Sequence, residues 1–250
     1  MDLQLAGRVY IVTGATRGLG FATARELAAE GARVVISGRD AASVAAAAKD
    51  LSGSGPAAGV AIDNASPDVG EVLTAAALRE FGRLDGVLVS TGGPPSGSVL
   101  GTPDEHWLGA FESVFLGALR VARSAAGALG PGGVIGFVLS SSVKSPVGRL
   151  AASNGLRPGL AMVAKQLADE LGPDGIRVLG LLPGRISTAR TAELDAGAPG
   201  RRAAAEATIP LRRYGTPEEF GRVAAFLLSP AASYLTGLVV PVDGGMLRSL

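Results

Sequence analysis

The 250-residue chain has no cysteine, one histidine, one tryptophan and three lysines. Without cysteine it forms no disulfide, offers no thiolate nucleophile and has no sulfur ligand for a metal, which fits a reducing compartment. The lone histidine, His106, falls in the first turn of a predicted helix and reads as a solvated side chain. No His/Asp/Glu group has metal-ligand spacing, so no metal is expected. No apolar run approaches a membrane span. The opening MDLQLAGRVYIVTGATRG lacks the basic start and unbroken apolar core of a signal peptide. A net charge of +1 gives no global attraction to nucleic acid or membrane. The expectation is a soluble, cytoplasmic protein that binds neither.

Hydrophobic residues make up 47% of the chain, enough for a large core without staples. Short β-rich runs alternate with longer helical ones, the pattern of a parallel sheet covered by helices on both faces. Strands are predicted at 8–13, 32–37, 59–62, 84–90, 133–140, 175–183 and 237–242. Between them lie helices reaching Glu30, over 41–51, to Phe81, over 104–128, over 153–171 and over 216–229. Thr102 suits the N-cap of the 104–128 helix, with Pro103 in its first turn. The fold class is α/β: one Rossmann-like, doubly wound domain over 1–250, with about seven parallel strands. A loop-rich insert at 184–213 reads as a lid.

Chemistry gathers where strands end. TGATRGLG (13–20) lies between the first strand and its helix. Glycines there let backbone approach a pyrophosphate, and the helix start supplies N–H groups and positive potential. Gly14, Thr16, Arg17, Gly18, Leu19 and Gly20 are the candidate contacts. The second strand ends in SGRD, without the carboxylate that holds ribose hydroxyls in NAD-specific folds. Arg17 and Arg39 can clamp a 2′-phosphate, which favours NADP(H), or they are solvated surface arginines. Asp40 starts the next helix. Asp63 and Asn64 end the third strand; Asp63 either bonds an adenine amino group or shapes the turn. Thr91, Gly92 and Gly93 open a Gly/Pro loop at the same crevice.

Together these features resemble the short-chain dehydrogenase/reductase family over essentially the whole chain, in flavour the 3-oxoacyl-carrier-protein reductase type. TGATRGLG fits the family's T-G-x-x-x-G-x-G, and residues 209–245 its C-terminal segment. LLPGRIST (181–188) fits its P-G-x-x-x-T segment. There the resemblance places Pro183, Gly184 and Ile186 beside a nicotinamide and Thr188 on its carboxamide. The departures fall in the catalytic set. Where the family has Tyr and Lys as Y-x-x-x-K, AASNGLRP (151–158) puts Ser153 and Arg157, and Val114 stands for its asparagine. The family's serine is Ser142, with a gap to Ser153 shorter than usual, or Ser140, which restores the spacing.

A serine hydroxyl is far too weak an acid to replace tyrosine, and arginine does not deprotonate. Arg157 keeps the ribose contact that the resemblance gives the family's lysine. Three readings remain. Lys144 supplies the acid, unless it is a solvated loop lysine. Or Ser142, Ser153 and Arg157 stabilise the developing alkoxide while water delivers the proton. Or the chain binds NADP(H) without turnover, as a sensor or partner subunit. An oxidoreductase acting on a carbonyl or hydroxyl, with a 3-oxoacyl thioester as one candidate substrate, is favoured because the nicotinamide-facing segment is intact. Tyr10, Tyr214 and Tyr234 read as structural. With Pro158 in a first turn, the helix begins near Asn154 or Gly155 and Ser153 becomes its cap. Arg185, Arg190, Arg201, Arg202, Arg212 and Arg213 in the insert either attract phosphates or solubilise the surface. The resemblance also implies a homotetramer or dimer, built through the 104–128 and 153–171 helices and the C-terminal segment.

Overall fold

The computed structural model describes residues 1–196 and 199–249; positions 197 and 198 of the proposed lid and the last residue of the domain lie outside it. In chain order the elements are β1 (Val9–Val12), α1 (Gly18–Ala29), β2 (Arg33–Gly38), α2 (Ala41–Leu51), β3 (Ala57–Ala61), α3 (Val69–Phe81) and β4 (Gly86–Val89). Then follow α4 (Asp104–Ala110), α5 (Gly117–Ala128), β5 (Val134–Val138), α6 (Ala151–Leu171) and β6 (Arg177–Pro183). The chain closes with α7 (Ala189–Asp195), α8 (Arg201–Thr208), α9 (Pro217–Leu228) and β7 (Leu238–Val242).

The strands form one parallel sheet ordered β3-β2-β1-β4-β5-β6-β7. The order reverses between β1 and β4, which opens a crevice at the carboxyl ends of those strands. β1, β4 and β5 are buried throughout, as strands covered on both faces must be. One face carries α3, α5 and α6 through Leu73, Val121 and Leu160; the other carries α1, α2 and α9 through Leu27, Leu51 and Phe220. Small residues let these helices close on each other. A Cβ at Gly70 would lie 2.3 Å from the Arg120 carbonyl, and one at Gly221 2.8 Å from that of Ala22.

Four expectations need correction. Thr102 does not cap α4. Pro103 occupies the cap position, and the Thr102 hydroxyl turns back to the Ser98 carbonyl at 2.6 Å. The 104–128 helix is not uniformly α: Phe111–Leu116 is a π turn between α4 and α5. The 184–213 insert is not mainly loop, since it holds α7 and α8.

The fourth concerns α6, which starts at Ala151 rather than Asn154 or Gly155, so Ser153 lies inside its first turn and caps nothing. The start is held from outside the helix. Ala151 N–H bonds the Gly97 carbonyl at 3.3 Å. The Asn154 amide grips Val147 at both backbone groups, at 3.0 and 2.9 Å. Pro158 therefore sits in the helix interior.

Candidate active site

The site is assembled at the switch point. Thr13 ties β1 to β4: its hydroxyl donates to the Ser90 carbonyl at 2.8 Å and accepts the Ser90 N–H at 2.9 Å. Gly14 follows with φ +56, and a Cβ there would come within 2.5 Å of the Ser90 carbonyl. Gly20 approaches the Gly14 carbonyl, where a Cβ would stand at 2.8 Å. The loop is thus wound too tightly for side chains, leaving its backbone bare. Thr16 packs on Gly38 at the end of β2, and Thr188 reaches across to Gly18. The helix α1 begins with no side-chain cap, so its first N–H groups are available to an anion.

At the end of β2 no carboxylate faces this loop. Asp40 caps α2, accepting the Ser43 N–H at 2.8 Å and its hydroxyl at 2.6 Å, bonds that hold its pKa below the usual range. Arg17 and Arg39 are exposed, and neither forms an ion pair among the described residues. Asp63 folds onto its own turn, accepting the Ala65 N–H at 2.9 Å, and the Asn64 carbonyl is pressed against Gly117.

Beside the loop lies a buried polar group. A 3₁₀ turn over Ser141–Val143 follows β5. Ser140 caps it, accepting the Ser142 N–H at 3.1 Å. That leaves Ser142 as the serine that meets Ser153, with Oγ atoms 3.3 Å apart and both residues buried. Four residues after Ser153, on the same face of α6, stands Arg157, only 5% exposed. Its Nη1 donates to the Val138 carbonyl at 2.6 Å and its Nη2 to Thr91 Oγ1 at a long 3.4 Å. No carboxylate among the described residues pairs with it. Desolvation pushes its pKa down to about 10, so it is still a cation at neutral pH.

The structure does not bring Lys144 to this group. Its N–H closes the turn onto the Ser141 carbonyl, while the side chain is exposed. The tyrosine hydroxyls are elsewhere too. Tyr10 donates to the Leu228 carbonyl at 3.2 Å, with burial raising its pKa. Tyr214 donates to Asp195 at 3.0 Å, and Tyr234 is fully exposed. Val114 is buried in the π turn and brings no polar atom.

On the other wall, Gly184 is pinned against Asp243, and Ile186 bridges to Gly215. The Thr188 hydroxyl caps α7, accepting the Thr191 N–H at 3.3 Å. Each of the six insert arginines has a partner within the chain. One contact was invisible in the sequence: Arg190 Nη2 donates to the Pro94 carbonyl at 2.8 Å, joining α7 to the Gly/Pro loop. Nothing in the spacing separates Arg190 from its five neighbours.

The family model described as enoyl-(acyl carrier protein) reductase matches residues 14–247. L-rhamnose 1-dehydrogenase (NAD(P)(+)) of Azotobacter vinelandii is 36% identical, across 99% of this chain and all of that one. The rhamnolipids biosynthesis 3-oxoacyl-[acyl-carrier-protein] reductase of Pseudomonas aeruginosa is 34% identical over 97% of each. The L-sorbose reductase of Gluconobacter frateurii, solved with NADPH and L-sorbose, superposes with a TM-score of 0.91 at 30% identity over both whole chains. The chain belongs to the short-chain dehydrogenase/reductase family.

Proposed function

We propose that the protein is an NADP(H)-dependent oxidoreductase in which two serines and an arginine stabilise the substrate oxygen and water takes the place of the usual acid. The observation that carries this reading is the buried Ser142–Ser153–Arg157 group beside the glycine loop. The residues fit a dinucleotide: bare backbone at Gly14, Gly18 and Gly20, an uncapped helix start, and two unpaired guanidiniums at Arg17 and Arg39 for a 2′-phosphate. Thr91–Gly93 and Pro183–Thr188 line the remainder of the cleft. The cofactor, when bound, supplies or accepts a hydride. Arg157 offers its remaining donors to the ribose, and its charge steadies negative charge on the substrate oxygen. Ser142 and Ser153 hydrogen-bond that oxygen and orient it. With Lys144 and Tyr234 in solvent and Tyr10 and Tyr214 hydrogen-bonded elsewhere, water delivers the proton.

The substrate is a small carbonyl or hydroxyl compound, with a 3-oxoacyl thioester as one candidate. The protein works as a homo-oligomer in the cytoplasm. Fluorescence titration is expected to show NADPH bound at least about tenfold more tightly than NADH, a difference of about 1.4 kcal/mol. Equal affinities would remove the roles of Arg17 and Arg39. Tight NADPH binding with no oxidation across a panel of ketones, diketones, enones and thioesters would leave only a binder.

A further inference from the structure

We propose that the substrate carries a carboxylate of its own: the cleft takes a small oxo acid or hydroxy acid, and Arg190 on the lid binds its carboxylate. The inference rests on the oxidoreductase reading and takes it to a substrate class.

The cleft walls carry charge of one sign. They come from three segments that run off the carboxyl ends of β4, β5 and β6. Residues 86–103, 134–158 and 177–192 hold no aspartate or glutamate. Past the ends of β5 and β6 they hold Lys144, Arg149, Arg157, Arg185 and Arg190. Asp195 offsets Arg185 from 3.6 Å away. Lys144 and Arg149 are exposed, and neither they nor Arg157 forms an ion pair among the described residues. Walls of this kind draw in an anion and raise its local concentration.

Arg190 is the lid cation that reaches across to the opposite wall. Its Nη2 donates to the Pro94 carbonyl at 2.8 Å, and its Nε lies 3.2 Å from where a Cβ on Gly93 would stand. Thr91 on the same loop accepts from Nη2 of Arg157 at 3.4 Å. One loop therefore touches both guanidiniums, and its residues 91–94 span at most about 11 Å. Arg190 is not saturated there. Glu193, its carboxylate partner, is 3.7 Å from Nη1 and itself 62% exposed, a pair that holds little in water. Nη1 and the second N–H of Nη2 remain for the two parallel bonds that a carboxylate accepts.

One small molecule fits both ends. Its oxo group meets Ser142, Ser153 and Arg157, and its carboxylate, a few carbons along the loop, meets Arg190. The cofactor phosphates have their own donors at the glycine loop, Arg17 and Arg39. The step balances: the carbonyl carbon accepts a hydride from the reduced nicotinamide, and the oxygen takes a proton from water. The products are the hydroxy acid, the oxidised cofactor and a hydroxide neutralised by buffer. The carboxylate is unchanged and acts only as a handle.

The test compares pyruvate, acetoacetate and levulinate with their methyl esters, using NADPH and analysis of the alcohol formed. For at least one acid, kcat/KM should exceed that of its ester by about tenfold or more, because the ester leaves the guanidinium without its anion. Arg190→Met should bring that ratio close to one, and Arg190→Lys should keep part of it. NADPH affinity should not change in either variant. Loss of the tie to Pro94 acts on acid and ester alike, so the ratio separates recognition from a structural role. Esters turned over as fast as acids would overturn the inference and keep the oxidoreductase. So would an Arg190→Met variant that slows both equally or binds NADPH more weakly.

Calorimetry with levulinate on the NADP⁺-loaded protein reads the same site without turnover. Binding that Arg190→Met abolishes supports the carboxylate site even where no alcohol forms, a result that strikes the oxidoreductase reading alone. Failure of the wild-type protein to bind any of the three acids would overturn the inference.

Discussion

Arg157 concentrates the residue-scale argument. Its position was legible because the family's Y-x-x-x-K spacing falls on Ser153 and Arg157 in AASNGLRP. Its burial without a counter-charge was not, since that depends on where β4 and β5 end. The same holds for the serines. The string SSS left Ser140 and Ser142 both open; the 3₁₀ turn decides between them by making Ser140 the cap. Ser142→Ala is expected to lower kcat by on the order of 10²-fold, as for loss of one donor to a developing oxyanion, with KM nearly unchanged. Steady-state kinetics at saturating NADPH checks it; a loss confined to KM would make Ser142 a binding residue only. Gly14→Ala tests the cradle. Its Cβ has nowhere to go beside the Ser90 carbonyl, and φ is positive. It should cost about 1–3 kcal/mol in stability and weaken NADPH binding, read by thermal melts and titration. A variant with wild-type melting and affinity would mean the loop relaxes freely.

At the scale of elements, seven strands and most helices were legible from periodicity, with ends shifted by at most two residues. What failed has physical causes. Pro158 favours a first-turn position, but the Asn154–Val147 clamp starts α6 earlier and leaves the proline in its interior. There it removes one helix hydrogen bond. Pro158→Ala is therefore expected to raise stability by about 1–3 kcal/mol, measured by denaturant unfolding, without changing NADPH affinity. α8 reads as loop because RRAAAEAT is short and polar overall, with nothing apolar larger than alanine and no buried residue. α9 was legible, and its capping box carries a pH prediction. The Arg213 hydrogen bond, with help from the Thr216 N–H, lowers the Glu219 pKa to about 2. A carboxylate depressed in the folded state stabilises above its unfolded pKa, near 4.3, and loses that contribution as pH falls toward 2. Amide exchange at the start of α9 should accelerate across that window. In Glu219→Gln that pH dependence should vanish; an unchanged profile would assign it to another group.

On the whole molecule, the sheet has covered faces but unequal edges. β7 is only half-buried and carries an exposed Pro241 one residue before its end, and beside it Tyr234 and Leu235 face solvent. A second apolar area lies on α4 and α6. Trp107 of α4 packs on Gly155 and Phe115 of the adjoining π turn on Gly159, and these segments present Leu108, Phe111 and Met162 outward, at 65%, 37% and 70% exposure. Grouped apolar side chains of this size are costly on a monomer and mark contact surfaces. Their composition was legible as an Ala/Leu-rich pair of helices, but which residues stay uncovered depends on how α4 turns through the π segment. Sedimentation is therefore expected to give two or four times the 24.9 kDa chain mass. Because α6 also carries Ser153 and Arg157, the expected assembly and the proposed chemistry share one element. Met162→Glu with Leu108→Glu should shift the protein toward monomer and lower activity together, while leaving the β7 edge able to pair. A monomeric wild-type protein at micromolar concentration with full activity would show that the active site needs no partner copy.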